Sequence, residues 1–362
     1  MWLRYVNIVL TPKDDPSRQQ TFTSHRIDFV VRSTMGWGTD TAEVKLFNLS
    51  LDEVKFMQNR SYGDMYISIQ AGYIDEMQAN KPIKQRALSE GQSVAIVVGE
   101  QAPQTIFSGV ITNVVGFKSP PEHITNLFCI SKTAQVATTF TQMKALPPGI
   151  TLGDAIRSMA NDYGYTTVST YGVGDDELQQ VLPLGRTFHD TFLIEFQNLL
   201  GEYNLLCQLT TGEIQIYPET YGNLDSVSRM AKDRDPIRLD ANSVIGNPIA
   251  GIQTFSVNTF LNSNVQPGMI LDASPLLGKE ILANGVVAVT NERDILNYDK
   301  SAFRWGVEDK YIIVDVVHHG SNRTNTFQTS LSCQTGGNSQ MGGNELAWQE
   351  MYKASGMSEV GY

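Results

Sequence analysis

Apolar residues in this chain recur at every second position, and that spacing limits its fold more than any other feature. Ile27, Phe29 and Val31 alternate with Asp28 and Arg32, and Met65, Ile67, Ile69 and Ala71 alternate with Tyr66, Ser68 and Gln70. Neighbouring side chains of an extended strand point to opposite faces, so such alternation places one face in a core. Further strands are predicted at 93–98, 105–107, 110–115 and 126–130, and again at 252–257, 269–272, 286–290, 311–317 and 326–333. Thirty glycines against fourteen prolines fit many short strands and turns. The regular spacing indicates a sandwich or barrel. Residues 26–50 and 310–333 share a layout, two strands around a polar turn, and neither holds a usable catalytic set.

Helices interrupt this pattern at definite places. Ser50, Leu51, Asp52 and Glu53 form a capping box, whose hydroxyl and carboxylate satisfy free amides at a helix start. Residues 75–92 are polar and without periodicity, as in a long loop or a partner-binding arm. Pro147, Pro148 and Gly149 signal a joint. Thr151 then caps a helix with Leu152, Ala155, Ile156, Met159, Ala160 and Tyr163 on one face, ended by Gly164. A strand-like stretch at 165–170 follows. The order then repeats: Thr187 or Asp190 starts a helix carrying Phe192, Phe196, Leu199, Leu200 and Tyr203, and a hairpin occupies 205–217. The expected class is mainly β with an α+β insert, divided at 1–140, 141–240 and 241–336 with a tail at 337–362.

A chain of 362 residues exceeds one small core. Its 27 basic and 38 acidic residues leave a net charge of −11, which disfavours direct nucleic-acid binding through a basic footprint. Cys129, Cys207 and Cys333 are odd in number and widely spaced, which argues for a reducing compartment and against a disulfide or zinc framework. The N-terminal apolar run is too short for a secretory signal and no window approaches a membrane span, so a soluble, cytoplasmically made chain is expected.

Chemistry is sparse. His318 and His319 are strand neighbours that face opposite ways, and only Asp315 shares a face with His319, so no metal site is expected. Asp14–Asp15, Asp175–Asp176–Glu177 and Glu292/Asp294 are acidic clusters in polar stretches. No GxSxG nucleophile turn occurs, and Gly36-Trp37-Gly38 and Gly172-Val173-Gly174 lack the remaining residues of a phosphate loop.

The order of these motifs resembles the baseplate hub proteins of long-tailed phages of the contractile, Mu-like kind, related to the base of VgrG spikes. AEVKLFNLS at 42–50, the capped helix and ISIQAGY at 67–73 look like the family's opening, and TIFSGVITNVV at 105–115 continues it. TLGDAIRSMANDYGY at 151–165 and TFLIEFQNLLGEYNLLCQLTTGEIQIYP at 191–218 resemble its helical insert. NVQPGMILDAS at 264–274 and residues 310–333 resemble its closing barrel, over about 20–335 in all.

The resemblance implies two tail-tube-like β-barrel domains around a small helix-containing middle domain. It implies a homotrimer whose barrels adapt a sixfold tail tube to a threefold central spike and carry DNA through the lumen. Residues 310–333 would be the closing ladder of the second barrel. The partners implied are the tail tube protein, the spike and other baseplate proteins, in the virion, with no catalysis or cofactor. An acidic lumen would let DNA slide, and an end at Tyr362 would make the spike a separate protein. Two alternatives stay open: a cell-wall or polysaccharide hydrolase using Asp175/Glu177 or Glu292/Asp294, and a β-rich carbohydrate-binding adhesin. Trp348, Met351 and Tyr352, on a short helix at 345–353, are candidate partner-interface residues.

Overall fold

Alternation becomes mainly antiparallel sheet in the first and last parts of the molecule. A computed structural model describes residues 2–36, 40–58, 63–75, 103–131, 141, 143–210, 213–219, 226–239, 241–250, 254–273, 282–283, 286–287 and 310–334. The protein is mainly β, with an α+β portion in the middle.

The first part contains β1 (Trp2–Pro12), β2 (Gln20–Phe22), β3 (Ile27–Thr34), β4 (Thr41–Phe47), β5 (Met65–Asp75), β6 (Gln104–Ser119) and β7 (Glu122–Ser131). They hydrogen-bond in the order β2-β1-β5-β6-β7-β4-β3. Ile27, Phe29, Val31, Met65, Ile67, Ile69 and Ala71 all point into one core, as their alternation requires. The N-terminal apolar run is β1, with Val6, Ile8 and Leu10 buried. Segments 105–107 and 110–115 are one strand of 16 residues. Gly109 joins them instead of breaking them: a Cβ there would lie 2.1 Å from the Ile130 carbonyl oxygen. The predicted strand at 93–98 lies outside the described residues.

Helix α1 (Leu51–Gln58) follows β4. Its capping box forms as expected: the Ser50 amide donates to Glu53 Oε2 at 2.7 Å and the Glu53 amide donates to Ser50 Oγ at 3.3 Å.

In the middle part, α2 (Leu152–Asp162) is capped by Thr151, whose Oγ1 accepts from the Asp154 amide at 3.2 Å. Its apolar face packs on α3 (Phe192–Gly201) and on a sheet of β8 (Thr167–Thr170), β9 (Leu205–Thr210) and β10 (Glu213–Pro218), ordered β8-β10-β9. Phe192 ties the helices together, 3.9 Å from Tyr163 and 4.9 Å from Phe196 between ring centroids. The residue that caps α3 is Thr191, not Thr187 or Asp190, and its side chain makes no capping bond. The buried Glu195 carboxylate instead reaches back to the amides of His189 and Asp190, at 3.1 and 3.2 Å. Helix α4 (Ser226–Asp233) closes this part. Among the described residues, no helix is long and apolar enough to cross a membrane.

The last part holds β11 (Val244–Ala250), β12 (Thr254–Phe260), β13 (Ile270–Asp272), β14 (Lys310–Ser321) and β15 (Phe327–Gln334). The strand expected at 252–257 is β12, displaced toward the C-terminus, and of 286–290 only Val286–Val287 is strand among the described residues. Strand β14 pairs with β15 on one side and with β3 on the other, from Asp315↔Thr34 to Ser321↔Asp28. The two look-alike segments at 26–50 and 310–333 are therefore adjacent in space. They join the first and last parts into one continuous sheet.

Candidate assembly interface

The turn between β14 and β15 is a plug in the first part of the molecule. Phe327 enters the core formed by β1 to β7, with Phe29 and Tyr73 ring centroids at 6.3 and 5.2 Å, both edge-on. The Tyr73 hydroxyl donates to the Phe327 carbonyl at 3.2 Å, and the Arg4 guanidinium donates to the Thr324 and Asn325 carbonyls. Asn322 clamps the other side: its Nδ2 donates to the His25 carbonyl at 2.6 Å and its Oδ1 accepts from the Ile27 amide at 3.0 Å. The Ser321 hydroxyl donates to Asp28 Oδ1 at 2.6 Å. Gly320 permits this approach, because a Cβ there would lie 2.1 Å from the Phe29 ring.

A second joint brings all three parts together. Met35 from the first part, Tyr217 and Met230 from the middle, and Ile270 and Ile312 from the last form a small buried cluster. The Gly36 amide donates to the Tyr217 hydroxyl at 3.0 Å. Burial pushes Tyr217 well above its ordinary pKa, so it stays a neutral phenol.

Beside this cluster opens a polar cleft of ≈ 590 Å³. The first part contributes Ser33, Asp40 and Ser68, the β9–β10 hairpin contributes Gln208, Glu213 and Gln215, and the last part contributes Ser263 and His318. Burial raises the Asp40 pKa to about 6, against hydrogen bonds from the Ser33 hydroxyl and the Thr34 amide. Burial lowers His318 to about 4, helped by the adjacent His319, so its ring is neutral. His318 Nδ1 lies 2.9 Å from Thr329 Oγ1, which already accepts from the Asn262 amide at 2.9 Å.

The solvent face of the joined sheet is mixed in charge. Phe128, Glu43, Val30, His319, Gln328 and Phe260 lie in one cross-strand row. In β3, β4, β14 and β15, Asp28, Glu43 and Asp315 are matched by Arg32, Lys45 and Lys310, so the chain's acidity is not concentrated there. At one end, β6 passes beyond β5. Its ladder with β5 ends at Val110 and its ladder with β7 runs on to Ser119, so the outer edge of 112–119 has no strand partner among the described residues. Val115, Phe117 and Phe128 are exposed on this arm, with Phe117 directly opposite Ile124.

Several of the described residues singled out for chemistry are engaged in structural contacts. Glu177 Oε2 accepts from the Gly174 amide at 2.8 Å and from Arg229 Nη2 at 2.7 Å, so the 175–177 cluster is a helix cap with an ion pair. Asp15 Oδ1 holds a turn through the Ser17 amide and hydroxyl, at 3.2 and 2.5 Å. The Gly172 amide is taken by Asp233 Oδ2 at 2.6 Å, which leaves no phosphate cradle at 172–174. Cys129, Cys207 and Cys333 are free and buried, and burial raises all three thiols. Among the described residues no three His, Cys, Asp or Glu side chains are grouped to hold a metal ion. Glu292 and Asp294, and the candidate interface residues Trp348, Met351 and Tyr352, lie outside the described residues.

No family model matches the sequence, and no curated protein matches it. Among solved structures, the chain is similar to a tail protein from Neisseria meningitidis MC58, with TM-score 0.50 at 9% identity, covering 91% of this chain and 96% of that one. It is also similar to the 43 kDa tail protein of prophage MuSo2 from Shewanella oneidensis, with TM-score 0.48 and 7% identity over 90% and 96% of the two chains. The E. coli c3393 protein, a type VI secretion component described as similar to T4 bacteriophage tail proteins gp27 and gp5, gives TM-score 0.46 and 11% identity over 86% and 73%. The first of these likenesses establishes a shared fold with that tail protein.

Proposed function

We propose that the protein is a structural hub of a phage tail baseplate, acting without catalysis. The observation that carries this reading is the single sheet running from the first part into the last, sealed by the Phe327 turn. Such a sheet builds a rigid wall from two like modules of one chain. In the proposed assembly three copies form a ring that adapts the sixfold tail tube to a threefold spike and continues the DNA channel. Tube, spike and other baseplate proteins are its neighbours in the virion. The unpaired edge at 112–119 suits this role, since an exposed apolar edge strand is a template for pairing with another chain. The proposed domain limits are 140, 240 and 336, supported by three cores drawn mainly from residues 6–129, 146–216 and 237–333, with Leu261 and Phe327 of the last part entering the first.

Light scattering after gel filtration tests the ring. A mass three times that of the 40.1 kDa chain, alone or on mixing with the spike protein, is expected. A stable dimer, or a monomer indifferent to the spike, would sink the reading.

A further inference from the structure

The polar cleft contains buried oxygens that the protein itself does not satisfy. Gln208 is 5% exposed and Ser263 is 6% exposed, and neither Gln208 Oε1 nor Ser263 Oγ has a hydrogen-bond partner. Both face the cleft together with the carboxylates of Asp40 and Glu213. Buried polar atoms in native proteins are nearly always paired, with protein groups or ordered water, so leftover oxygens around one space point to an occupant.

The charge of the space is negative. His318 is neutral there, while Asp40 is ringed by the neutral donors Ser33 and Thr34. Glu213 accepts from the Ser169 hydroxyl and from Gln215 Nε2, and it lies near the Arg234 guanidinium. Arg234 therefore offsets Glu213 and leaves Asp40 as the uncompensated carboxylate.

We propose that the cleft holds a hydrated divalent cation of the Mg²⁺ type, whose water shell donates to Asp40, Gln208 and Ser263. Magnesium gives up its waters reluctantly and is commonly held through one or two carboxylates. A hydrated ion presents outward-pointing protons, which match the Asp40 carboxylate, the Gln208 carbonyl oxygen and the lone pairs of the Ser263 hydroxyl. The cleft also lacks the cluster of side chains that direct ligation of a bare ion needs, among the described residues. Bound there, the ion links the first part through Asp40, the middle hairpin through Gln208 and the last part through Ser263. This inference concerns the single chain and does not depend on the ring.

Thermal unfolding of the full chain tests it, starting from EDTA-treated protein. MgCl₂ is compared with NaCl at equal ionic strength, and with cobalt(III) hexammine, which has the outward donors of hydrated magnesium but cannot shed its ligands. Both magnesium and the hexammine are expected to raise the Tm by a few degrees, and Gln208→Leu to weaken the effect. Asp40→Asn removes a buried charge and is expected to fold well while losing the shift. The proposal is overturned if magnesium does no more than NaCl, or if Asp40→Asn responds like the parent. A response to magnesium without one to the hexammine would also overturn it, because the ion would then be directly ligated.

Discussion

The last part of the molecule touches the first through an apolar insertion, whereas the middle part meets both around a polar cleft. At the first contact Phe327 sits among Phe29 and Tyr73, and the polar groups of residues 321–325 find partners at the rim. At the second, a small apolar cluster around Tyr217 is flanked by a cleft where Gln208 and Ser263 leave oxygens unpaired. The lesson is one of division of labour. Apolar burial with paired edges makes a permanent wall, while a polar joint with leftover oxygens responds to pH and ions.

The largest expected effect breaks the apolar contact. Phe327→Ala should cost about 3–5 kcal/mol, because it leaves a cavity in a core that its neighbours cannot refill. Urea unfolding followed by fluorescence measures it, and a cost under about 1 kcal/mol would remove the plug from the account.

The polar joint should reveal itself through pH. Asp40, raised to about 6, favours the folded state most when protonated, so its contribution falls as pH rises from about 4 to about 6. His318, lowered to about 4, favours the folded state most when neutral, so its contribution is lost as pH falls from about 6.5 toward 4. The two slopes oppose each other in nearly the same window, and the parent should be almost flat there in EDTA. Asp40→Asn should gain stability with rising pH by about 2–3 kcal/mol across that window, and His318→Gln should lose a similar amount. Denaturant midpoints at pH 4.5 and 6.5 give both signs, and parallel profiles for the two variants would refute the pairing.

A smaller effect returns to the plug. Gly320→Ala drives a methyl group into the Phe29 ring and should cost about 1–3 kcal/mol. The smallest contrast lies within the middle part: Thr151→Ala should cost about 1 kcal/mol through its lost cap, while Thr191→Ala should cost little. Equal losses in these two variants would mean that the observed hydrogen bond at Thr151 is not what stabilises its helix.

Much of the local structure was legible in the sequence. The buried faces of β3 and β5 follow from alternation, and the Ser50 and Thr151 caps from their residue types. Other points were not legible, for physical reasons. Gly109 looks like a break until Ile130 and Phe107 are seen pressed against it. The start of α3 falls at Thr191, which makes no side-chain capping bond, while Glu195 inside the helix takes the amides of His189 and Asp190 just ahead of it. No motif encodes the cleft, since Asp40, Gln208 and Ser263 are distant in sequence and individually ordinary.

The sequence by itself determined which side chains face inward, because in a strand that choice is set by each residue's place in the alternation. The tertiary structure alone decided that residues 26–50 and 310–333 lie side by side, since either strand edge offers the same amides and carbonyls to any partner. It also decided that Asp40 and His318 share one cleft, because burial is imposed by segments folded over a residue and not by the residue itself.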